Sequence, residues 1–454
     1  MKKNIFKSIA FLLLAGTIAS CDSKLELYPQ DSISPELVTS AEAEKLLNGV
    51  YDAVQNGNVG SGYAYLSYVT EDLSGDNLKY RATFFQHGEV DNNSILTSNI
   101  LVARYFNYPY VFIQRASDLI DIVNSSTTMN DVEKNKFLGS AYFFRAYGYY
   151  RLVTLFGAVP IVNSRDIVQV PRNSVEEVYA QIISDLNAAI ANPAPFGNSN
   201  YVSVEAAKAL LARVYLIQGD KENAKKYALE VINSGKFDIA SSYADMFKTP
   251  YESKEHIFKI ANTATEGTNA LDYFLQHSTM PGSGRAELPV DESLIVAYEE
   301  GDERKAGSVT WIPENVTNSG WYTHKYQDAS GNGAHPYYIL RLSEMYLIVA
   351  ECDITSNPSN ALTYLNKVRT NRGLKAKTSA DLYDIISERR VEFAFENLRW
   401  SDMRRTPSKS NPSKSMATEF LEAKGRTKND ELYPIPQSAI NTNPLLLPNN
   451  EGYN

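Results

Sequence analysis

The densest group of acidic residues lies near the C-terminus and comprises Glu388, Glu392, Glu396 and Asp402. Two carboxyl groups that face each other across a cleft, one with a raised pKa, are the machinery of glycoside hydrolysis. In this stretch, however, arginines alternate with the acids at helical spacing, and a neighbouring cation keeps a carboxyl group ionised. We therefore predict ion-paired helix faces here and no hydrolytic pair.

Two further acid pairs, Glu71-Asp72 and Glu299-Glu300, are adjacent in sequence. Adjacent side chains point apart on regular elements, so a shared proton between them is not expected. We predict that these four residues are solvated acids.

Other catalytic chemistry lacks its sequence motifs. There is no nucleophile elbow, phosphate loop or dinucleotide fingerprint in the sequence,. The histidines do not show the spacing of a zinc site; they are His87, His256, His277, His324 and His335,. We therefore predict a protein without a metal or cofactor.

The N-terminus has the pattern of a bacterial lipoprotein signal. Three lysines precede a short apolar run, and small residues lead directly to Cys21,. We predict that residues 1–20 are removed and that the thiol of Cys21 receives a lipid such as palmitate; secretion with a free thiol is the alternative. Cys352, the other cysteine, lies in an apolar run and is predicted to be a small buried residue,.

The charge of the chain argues against nucleic acid as a partner. The formal net charge of −9 becomes −12 once the three leader lysines are lost. A nucleic-acid-binding protein needs a basic surface, and this composition predicts an acidic one. Tyrosine is unusually common, with 30 Tyr against 18 Phe and 3 Trp, and its flat ring with a polar tip suits wet recognition surfaces as well as cores.

Helical periodicity covers most of the chain. Each predicted helix carries apolar residues at three- and four-residue spacing; these helices are Ser40 to Val54, Val102 to Val123, Val132 to Phe156, a helix capped by Ser174 and Glu177 that runs to Ile190, Val204 to Gln218, Lys221 to Asn233, Leu342 to Ile354 and Pro358 to Arg372. Residues 57–99 read instead as loop and strand, with Tyr63, Tyr65 and Tyr68 in an alternating stretch.

One helix pair resembles a tetratricopeptide repeat. Ala212, Tyr215, Gly219 and Ala224 fall where such a unit uses small residues and an aromatic to bring two helices together,.

We predict a mainly α fold with minor β. Its parts are a lipidated tether at 21–39, a helical scaffold of tetratricopeptide-like hairpins at 40–236 with a loop-rich insertion at 57–99, an irregular loop-rich ligand-binding lobe at 237–335, and a C-terminal helical region at 336–454,.

Several segments, in order along the chain, resemble the SusD/RagB family of outer-membrane nutrient-binding lipoproteins. They are Leu25-Glu-Leu-Tyr-Pro-Gln30, Phe144-Arg-Ala-Tyr-Gly-Tyr-Tyr-Arg-Leu-Val-Thr-Leu-Phe-Gly-Ala-Val-Pro160, Arg341-Leu-Ser-Glu-Met-Tyr-Leu347, Leu365-Asn-Lys-Val-Arg369, Glu388-Arg-Arg-Val-Glu-Phe393, Arg399-Trp-Ser-Asp402, Tyr433-Pro-Ile-Pro436 and Asn450-Glu-Gly-Tyr453. Trp400, inside one of these motifs, is expected in the core.

The resemblance implies a protein without enzymatic activity. Members of this family sit at the cell surface over a SusC-like TonB-dependent transporter and capture oligosaccharides, or in some branches peptides, for import. The resemblance also implies that the ligand binds in the loops and that the lipid holds the protein at the outer membrane. A surface glycosidase is the third alternative.

Sugar recognition nominates residues in those loops, because C–H faces of sugars stack on aromatic rings while hydroxyls need planar polar partners. Two segments carry both kinds of side chain. The candidate ligand-binding residues are Tyr65, Asp76, Asn77, Tyr80, Arg81, Trp311, Trp321 and Tyr322. The alternative for each aromatic is that it fills the core beneath a loop.

Overall fold

A computed structural model describes residues 34–56, 63–81, 83–163, 168–194, 196–263, 274–281, 283–326 and 335–453. Cys21, the predicted leader and most of the predicted tether lie outside the described residues. For residues 56 and 63–68 the structure describes the backbone and not the side chains.

The described residues form sixteen α-helices and four short strands, which confirms the predicted mainly α fold with minor β. The helices are α1 (Ser40–Asn56), α2 (Tyr63–Ser74), α3 (Phe85–Asp91), α4 (Ile100–Ser125), α5 (Asp131–Phe156), α6 (Val175–Ala191), α7 (Val204–Ile217), α8 (Lys221–Ile232), α9 (Glu292–Ala297), α10 (Glu303–Ser308), α11 (Leu342–Asp353), α12 (Pro358–Thr370), α13 (Leu382–Glu392), α14 (Arg399–Arg405), α15 (Met416–Ala423) and α16 (Gln437–Thr442). Within the described parts of the chain, no helix is both long and apolar enough to cross a membrane.

The longer helices pack in chain order as a layered scaffold. Helix α4 packs on α5, α5 on α6, α7 on α8, α8 on α11 and α11 on α12. Helix α5 is central, because nearly every residue from Phe137 to Phe156 is buried. It ends at Gly157, whose φ of +69° favours glycine and whose added Cβ would lie 2.9 Å from Cδ1 of Leu432,.

The α7–α8 hairpin has the packing that its sequence predicts. Ala212 and Ala224 are fully buried at the helix contact, and the rings of Tyr215 and Tyr227 stack with centroids 5.8 Å apart. Gly219 makes the turn with a φ of +78°. The capping box of Ser174 and Glu177 also forms at the start of α6,.

The strands form two small antiparallel sheets. Strand β1 (His256–Ile260) pairs with β4 (Tyr337–Arg341), and β2 (Val309–Ile312) forms a hairpin with β3 (Gly320–Thr323). The described part of residues 237–335 contains only short helices and strands, and the rest of it is irregular.

The prediction of loop and strand for residues 57–99 is wrong for α2 and α3. The alternating tyrosines suggested a period of two, but Val69 and Leu73, four residues apart, are both buried on a helix. Thr70, Glu71 and Asp72 are buried as well. A helix that is buried on several faces by tertiary contacts has no amphipathic pattern by which its sequence could reveal it.

Candidate functional site

The two predicted site segments meet through a third stretch of chain. Leu78 bridges Val290, the backbone N–H of Arg81 donates to the carbonyl of Glu287 at 3.0 Å, and the N–H of Val290 donates to the carbonyl of Trp321 at 2.8 Å. Residues 287–290 therefore join the segment around Arg81 to the β2–β3 hairpin.

The hairpin presents two different faces, because successive side chains of a strand point to opposite sides. Trp311 lies opposite Trp321 on one face, and Thr310 lies opposite Tyr322 on the other. The candidate residues are thus divided between two faces next to one turn, formed by residues 313–319.

On the first face, Trp311 and Trp321 form an aromatic pair that we call the tryptophan platform. Their ring centroids are 5.4 Å apart with planes inclined at 61°. Trp311 is 43% exposed, and Nζ of Lys305, from α10, stands 5.5 Å from the centroid of the Trp321 ring. The platform therefore combines an accessible aromatic ring, on which a flat apolar face can stack, with a nearby cation.

On the second face, Tyr322 holds Arg81 in one orientation. Nη1 of Arg81 donates to the hydroxyl of Tyr322 at 2.9 Å and to the carbonyl of Ser319 at 2.7 Å. The Tyr322 hydroxyl donates in turn to the carbonyl of Asn318 at 2.9 Å. Tyr322 is fully buried, and burial raises the pKa of its hydroxyl, so the group stays neutral while Arg81 remains exposed.

Unusual backbone conformations gather around this contact. Ser283, Ala286 and Asn318 all have φ between +46° and +62°, a region that side chains rarely adopt,. Such residues persist where the surrounding structure holds them, and they are concentrated at ligand clamps and active sites. The backbone around Tyr322 is therefore fixed in a shape that costs free energy.

A second arginine extends the exposed surface beside Arg81. Nη2 of Arg285 donates to Oγ1 of Thr83 at 2.8 Å, and Nε of Arg285 lies 3.7 Å from the buried carboxylate of Glu287. We call Arg81, Thr83 and Arg285 the arginine surface. Phe85, the first residue of α3, is 61% exposed nearby in sequence.

Two of the predicted ligand contacts, Asp76 and Asn77, form hydrogen bonds within the protein. Asp76 accepts two hydrogen bonds from Arg399, at 2.6 and 2.8 Å. Asn77 is fully buried, donates to Asp72 at 2.6 Å and accepts from Arg390 at 2.9 Å. Both side chains hold the loop in this conformation, and contact with a ligand stays a prediction for them.

Tyr80 and Tyr65 are the aromatic candidates of the same region. Tyr80 is half-buried, and its ring lies so close to Gly88 that an added Cβ there would be 2.8 Å from Cδ1 of Tyr80. Tyr65 lies on α2, and its side chain is outside the described part of the structure. Arg285 and Lys305 are site residues that sequence reasoning missed; the sequence around Arg285, Pro281-Gly-Ser-Gly-Arg285, indicates a loop but not its partner.

The acidic cluster at the C-terminus is ion-paired, as predicted, but it is buried and its partners come mostly from other elements. Glu388 binds Arg304 at 2.6 Å and Arg369 at 2.7 Å. Glu392 binds Arg341 and Arg372, both at 2.9 Å. Burial alone would raise the pKa of Glu392, but Arg372 and Arg341 hold it well below its usual range,. A carboxylate so held does not donate a proton.

The prediction that Glu71 and Asp72 are solvated is wrong. Both side chains are fully buried. Glu71 binds Arg151 at 2.8 Å, and Asp72 accepts hydrogen bonds from the backbone of Phe395 and of Asn397. Burial raises the pKa of Asp72 to about 6. These acids join α2 to the C-terminal region, a role that adjacent position in sequence does not reveal.

Among the described residues there is no group of three or more His, Cys, Asp or Glu that could hold a metal ion. Two clefts, each with a volume of about 360 Å³, lie away from the candidate residues. One is lined by Phe196, Lys236 and His256, and the other by Phe106, Tyr110 and Leu446 among others.

Comparison with known proteins identifies the family of the chain. The profile of the SusD family matches residues 187–453, more than half of the chain. The chain belongs to the SusD family. A second SusD-related profile, described as starch-binding and associating with the outer membrane, matches residues 25–216. The resemblance noted in the sequence is thereby confirmed.

Individual relatives match this chain at low identity and over different lengths. A SusD-like protein named P2 from Formosa agariphila is 26% identical over 98% of this chain and 99% of its own. The starch-binding protein SusD of Bacteroides thetaiotaomicron is 24% identical over 56% of this chain and 49% of its own.

Solved structures share the fold. A SusD superfamily protein from Bacteroides thetaiotaomicron superposes with a TM-score of 0.79 at 24% identity, over 91% of this chain and all of that one. The surface glycan-binding protein A of the same organism, solved in complex with laminarihexaose, superposes with a TM-score of 0.76 at 19% identity, again over 91% of this chain and all of that one. At this identity the likeness concerns the fold.

Proposed function

We propose that this SusD-family protein binds oligosaccharides on the cell surface without cleaving them and delivers them to a SusC-like TonB-dependent transporter. The observation that carries the proposal is the tryptophan platform, with Trp311 exposed, next to an arginine that is already oriented by Tyr322. Sugar rings stack on flat aromatics, and their hydroxyls pair with fixed polar groups. Family relatives are named for starch or glycan binding, which supports the same class of ligand.

The proposal that the protein does not cleave the sugar is supported by the ionisation of the carboxyl groups in the C-terminal cluster. Glycoside hydrolysis needs one carboxyl group that keeps its proton near neutral pH and a second that faces it across the sugar. The acids of the C-terminal cluster are instead buried against arginines, and Arg389 and Arg405 overcome burial to lower the pKa of Asp402 to about 2. These groups stabilise the fold and do not open onto the tryptophan platform or the arginine surface.

Membrane attachment and the transporter belong to the same proposal. A lipid on Cys21 would keep the protein at the outer membrane, and the leader sequence and the outer-membrane family description support it. The expected result is that the protein co-purifies with a TonB-dependent transporter in mild detergent, and that Cys21→Ala releases the protein from the membrane fraction. Recovery of the protein alone, with a bound oligosaccharide present, would contradict delivery to a transporter.

Calorimetric titration with a panel of oligosaccharides tests the binding proposal, followed by analysis of the sugar for new reducing ends. We expect binding without cleavage, and Trp311→Ala should weaken it by at least about tenfold, which corresponds to about 1.4 kcal/mol. Tyr201, which is 54% exposed on a different part of the surface, is the matched control, and Tyr201→Ala should leave affinity unchanged. Release of reducing ends by the pure protein would contradict the non-enzymatic proposal.

The alternative ligand, a peptide, has a testable signature in the same experiment. The acidic chain as a whole would favour cationic peptides, yet the described cations at the candidate site, Arg81, Arg285 and Lys305, would repel them. Binding of cationic peptides that Trp311→Ala abolishes would favour the peptide alternative.

A further inference from the structure

The candidate site has the opposite charge from the chain. The formal net charge of the protein is −9, but the side chains around the hairpin turn are mainly cationic. Arg81 contacts Tyr322 on one face of the hairpin, and Lys305 stands beside Trp321 on the other. Arg285 contacts Thr83, two residues along the chain from Arg81. A local field that differs in sign from the whole surface attracts ligands of a particular charge.

Two of these cations, Arg81 and Lys305, differ from Arg285, which pairs with Glu287 at 3.7 Å. Arg81 donates to two neutral oxygens, and within the described ranges no carboxylate lies at ion-pair distance from Arg81 or from Lys305. Lys79 is neutralised by Asp291 at 3.1 Å. A guanidinium without a carboxylate keeps its capacity to bind an external anion.

Two acids lie close to this surface, and the ion pair that one of them forms is with Arg285, at 3.7 Å, and not with Arg81. Glu287 is fully buried beneath Arg285, with an oxygen that accepts from the backbone of Phe84 at 3.1 Å. Its neighbour His87 is also buried, and burial lowers the pKa of the imidazole, so the ring is neutral. Glu314 is the acid of the hairpin turn and is exposed. Glu287 therefore offsets the charge of Arg285, while Arg81 and Lys305 have no carboxylate partner among the described residues.

The hydrogen bonds of Arg81 leave its outer edge available. Both described bonds use Nη1, so Nη2 and Nε are presented with the guanidinium plane already fixed. A planar fork with two free N–H groups matches the oxygens of a carboxylate or a sulfate, and fixing it beforehand lowers the entropy lost on binding.

We propose that the oligosaccharide is anionic, with Arg81 binding a carboxylate or sulfate group of the sugar chain while the tryptophan platform stacks on another of its rings. This proposal rests on the proposed function and specifies its ligand. Because Arg81 and the platform lie on opposite faces of the hairpin, a chain of several sugar units is needed to contact both.

Calorimetry with three hexasaccharides tests the proposal: an oligogalacturonate, a sulfated oligosaccharide and neutral laminarihexaose. We expect at least one anionic probe to bind about tenfold more tightly than the neutral one, with the advantage lost between roughly 50 and 500 mM NaCl. Arg81→Gln should lower the affinity for that probe about tenfold, and Arg81→Lys should restore part of it. The carboxylate and sulfate probes distinguish the two anions.

Lys136 provides the control, because it is an exposed cation on α5 far from the site in the fold and pairs with Glu44. Lys136→Gln should leave every affinity unchanged. Equal affinity for neutral and anionic probes, together with no effect of Arg81→Gln at an unchanged Tm, would overturn the anionic ligand and leave oligosaccharide binding in place. Failure of all three probes and of a wider glycan panel would instead overturn the proposed function.

Discussion

Arg341 in the interior and Arg81 beside the hairpin turn hold the same guanidinium group in opposite surroundings. Arg341 is 2% exposed and donates to Glu255 at 2.6 Å, to Glu392 at 2.9 Å and to Glu396 at 2.7 Å. Arg81 is exposed and donates to a carbonyl and a phenol. The charge of Arg341 is neutralised by carboxylates of the protein. Arg81 is oriented by neutral oxygens and has no carboxylate partner in the part of the chain that the structure describes.

The interior network explains why the family motifs of the C-terminal half contain so many charges. Arg341 ends β4, Glu392 ends α13, and Glu255 immediately precedes β1. Arg372 joins the same carboxylates, at 2.9 Å from both Glu255 and Glu392. Buried charges that are paired in this way fix the relative positions of the elements that carry them, and removing one partner leaves the others uncompensated.

The largest effect is expected from breaking this network. Arg341→Met should lower the free energy of unfolding by about 3–5 kcal/mol, because Glu255, Glu392 and Glu396 lose a shared cation in the interior. Urea denaturation measures the loss. Lys136→Met removes an exposed pair and should cost about 0–1 kcal/mol. A loss from Arg341→Met as small as that of the control would mean that Arg372 and Lys325 compensate, and the network would not hold the fold as argued.

The ion-paired carboxylate of Asp402 should make the stability of the protein depend on pH. Arg389 and Arg405 lower the pKa of Asp402 to about 2 although burial opposes the shift. A lowered pKa in the folded protein means that the carboxylate adds stability above its unfolded pKa, near 3.9, and that this stability is lost as the pH falls towards 2. The expected contribution is roughly 2 kcal/mol.

Unfolding measured from pH 5 to pH 2 checks this contribution. The decline of the wild-type protein over that interval should be steeper than that of Asp402→Asn, which is already less stable at neutral pH. Parallel declines in the two proteins would show that Asp402 is not responsible. Binding at the arginine surface should not follow this titration above pH 4, since arginine keeps its proton there.

Sequence reasoning placed the regular helices because their signals are local. The helix predicted at Val204 to Gln218 is observed at Val204–Ile217, and the box of Ser174 and Glu177 forms with both hydrogen bonds. Helix α2 was missed because Glu71 and Asp72, on faces that would normally be solvated, are buried against distant partners. Local pattern carries no information about such partners.

The candidate site shows the same limit. Arg81 and Tyr322 were each nominated from residue type, but they are 241 positions apart and their contact depends on the intervening segment at 287–290. The pairing of Trp311 with Trp321 needs the register of the hairpin. Residue type alone therefore predicts which side chains could belong to a site. Which of them come into contact depends on long-range strand pairing, which residue type does not predict.

The smallest effect is expected at Tyr322, and it tests how much the orientation of Arg81 matters. Tyr322→Phe keeps the buried ring and removes the hydroxyl that accepts from Arg81. The substitution also removes the bond that the hydroxyl donates to the carbonyl of Asn318. The lost bond from Arg81, worth about 0.5–1.5 kcal/mol, should lower affinity for the anionic hexasaccharide roughly two- to tenfold. Affinity for neutral laminarihexaose should change less, because stacking on Trp311 does not depend on Arg81. Calorimetry measures both, with Tyr215→Phe, on the α7–α8 hairpin, as the control for loss of a hydroxyl.

The outcome separates two ways in which Arg81 could act. If orientation matters, Tyr322→Phe weakens anionic binding while the charge of Arg81 and the salt dependence remain. If charge alone matters, Tyr322→Phe binds the anionic probe as tightly as the wild-type protein, because the carbonyl of Ser319, 2.7 Å from Nη1, suffices to hold the guanidinium. That second result would keep an anionic ligand but remove Tyr322 from the site.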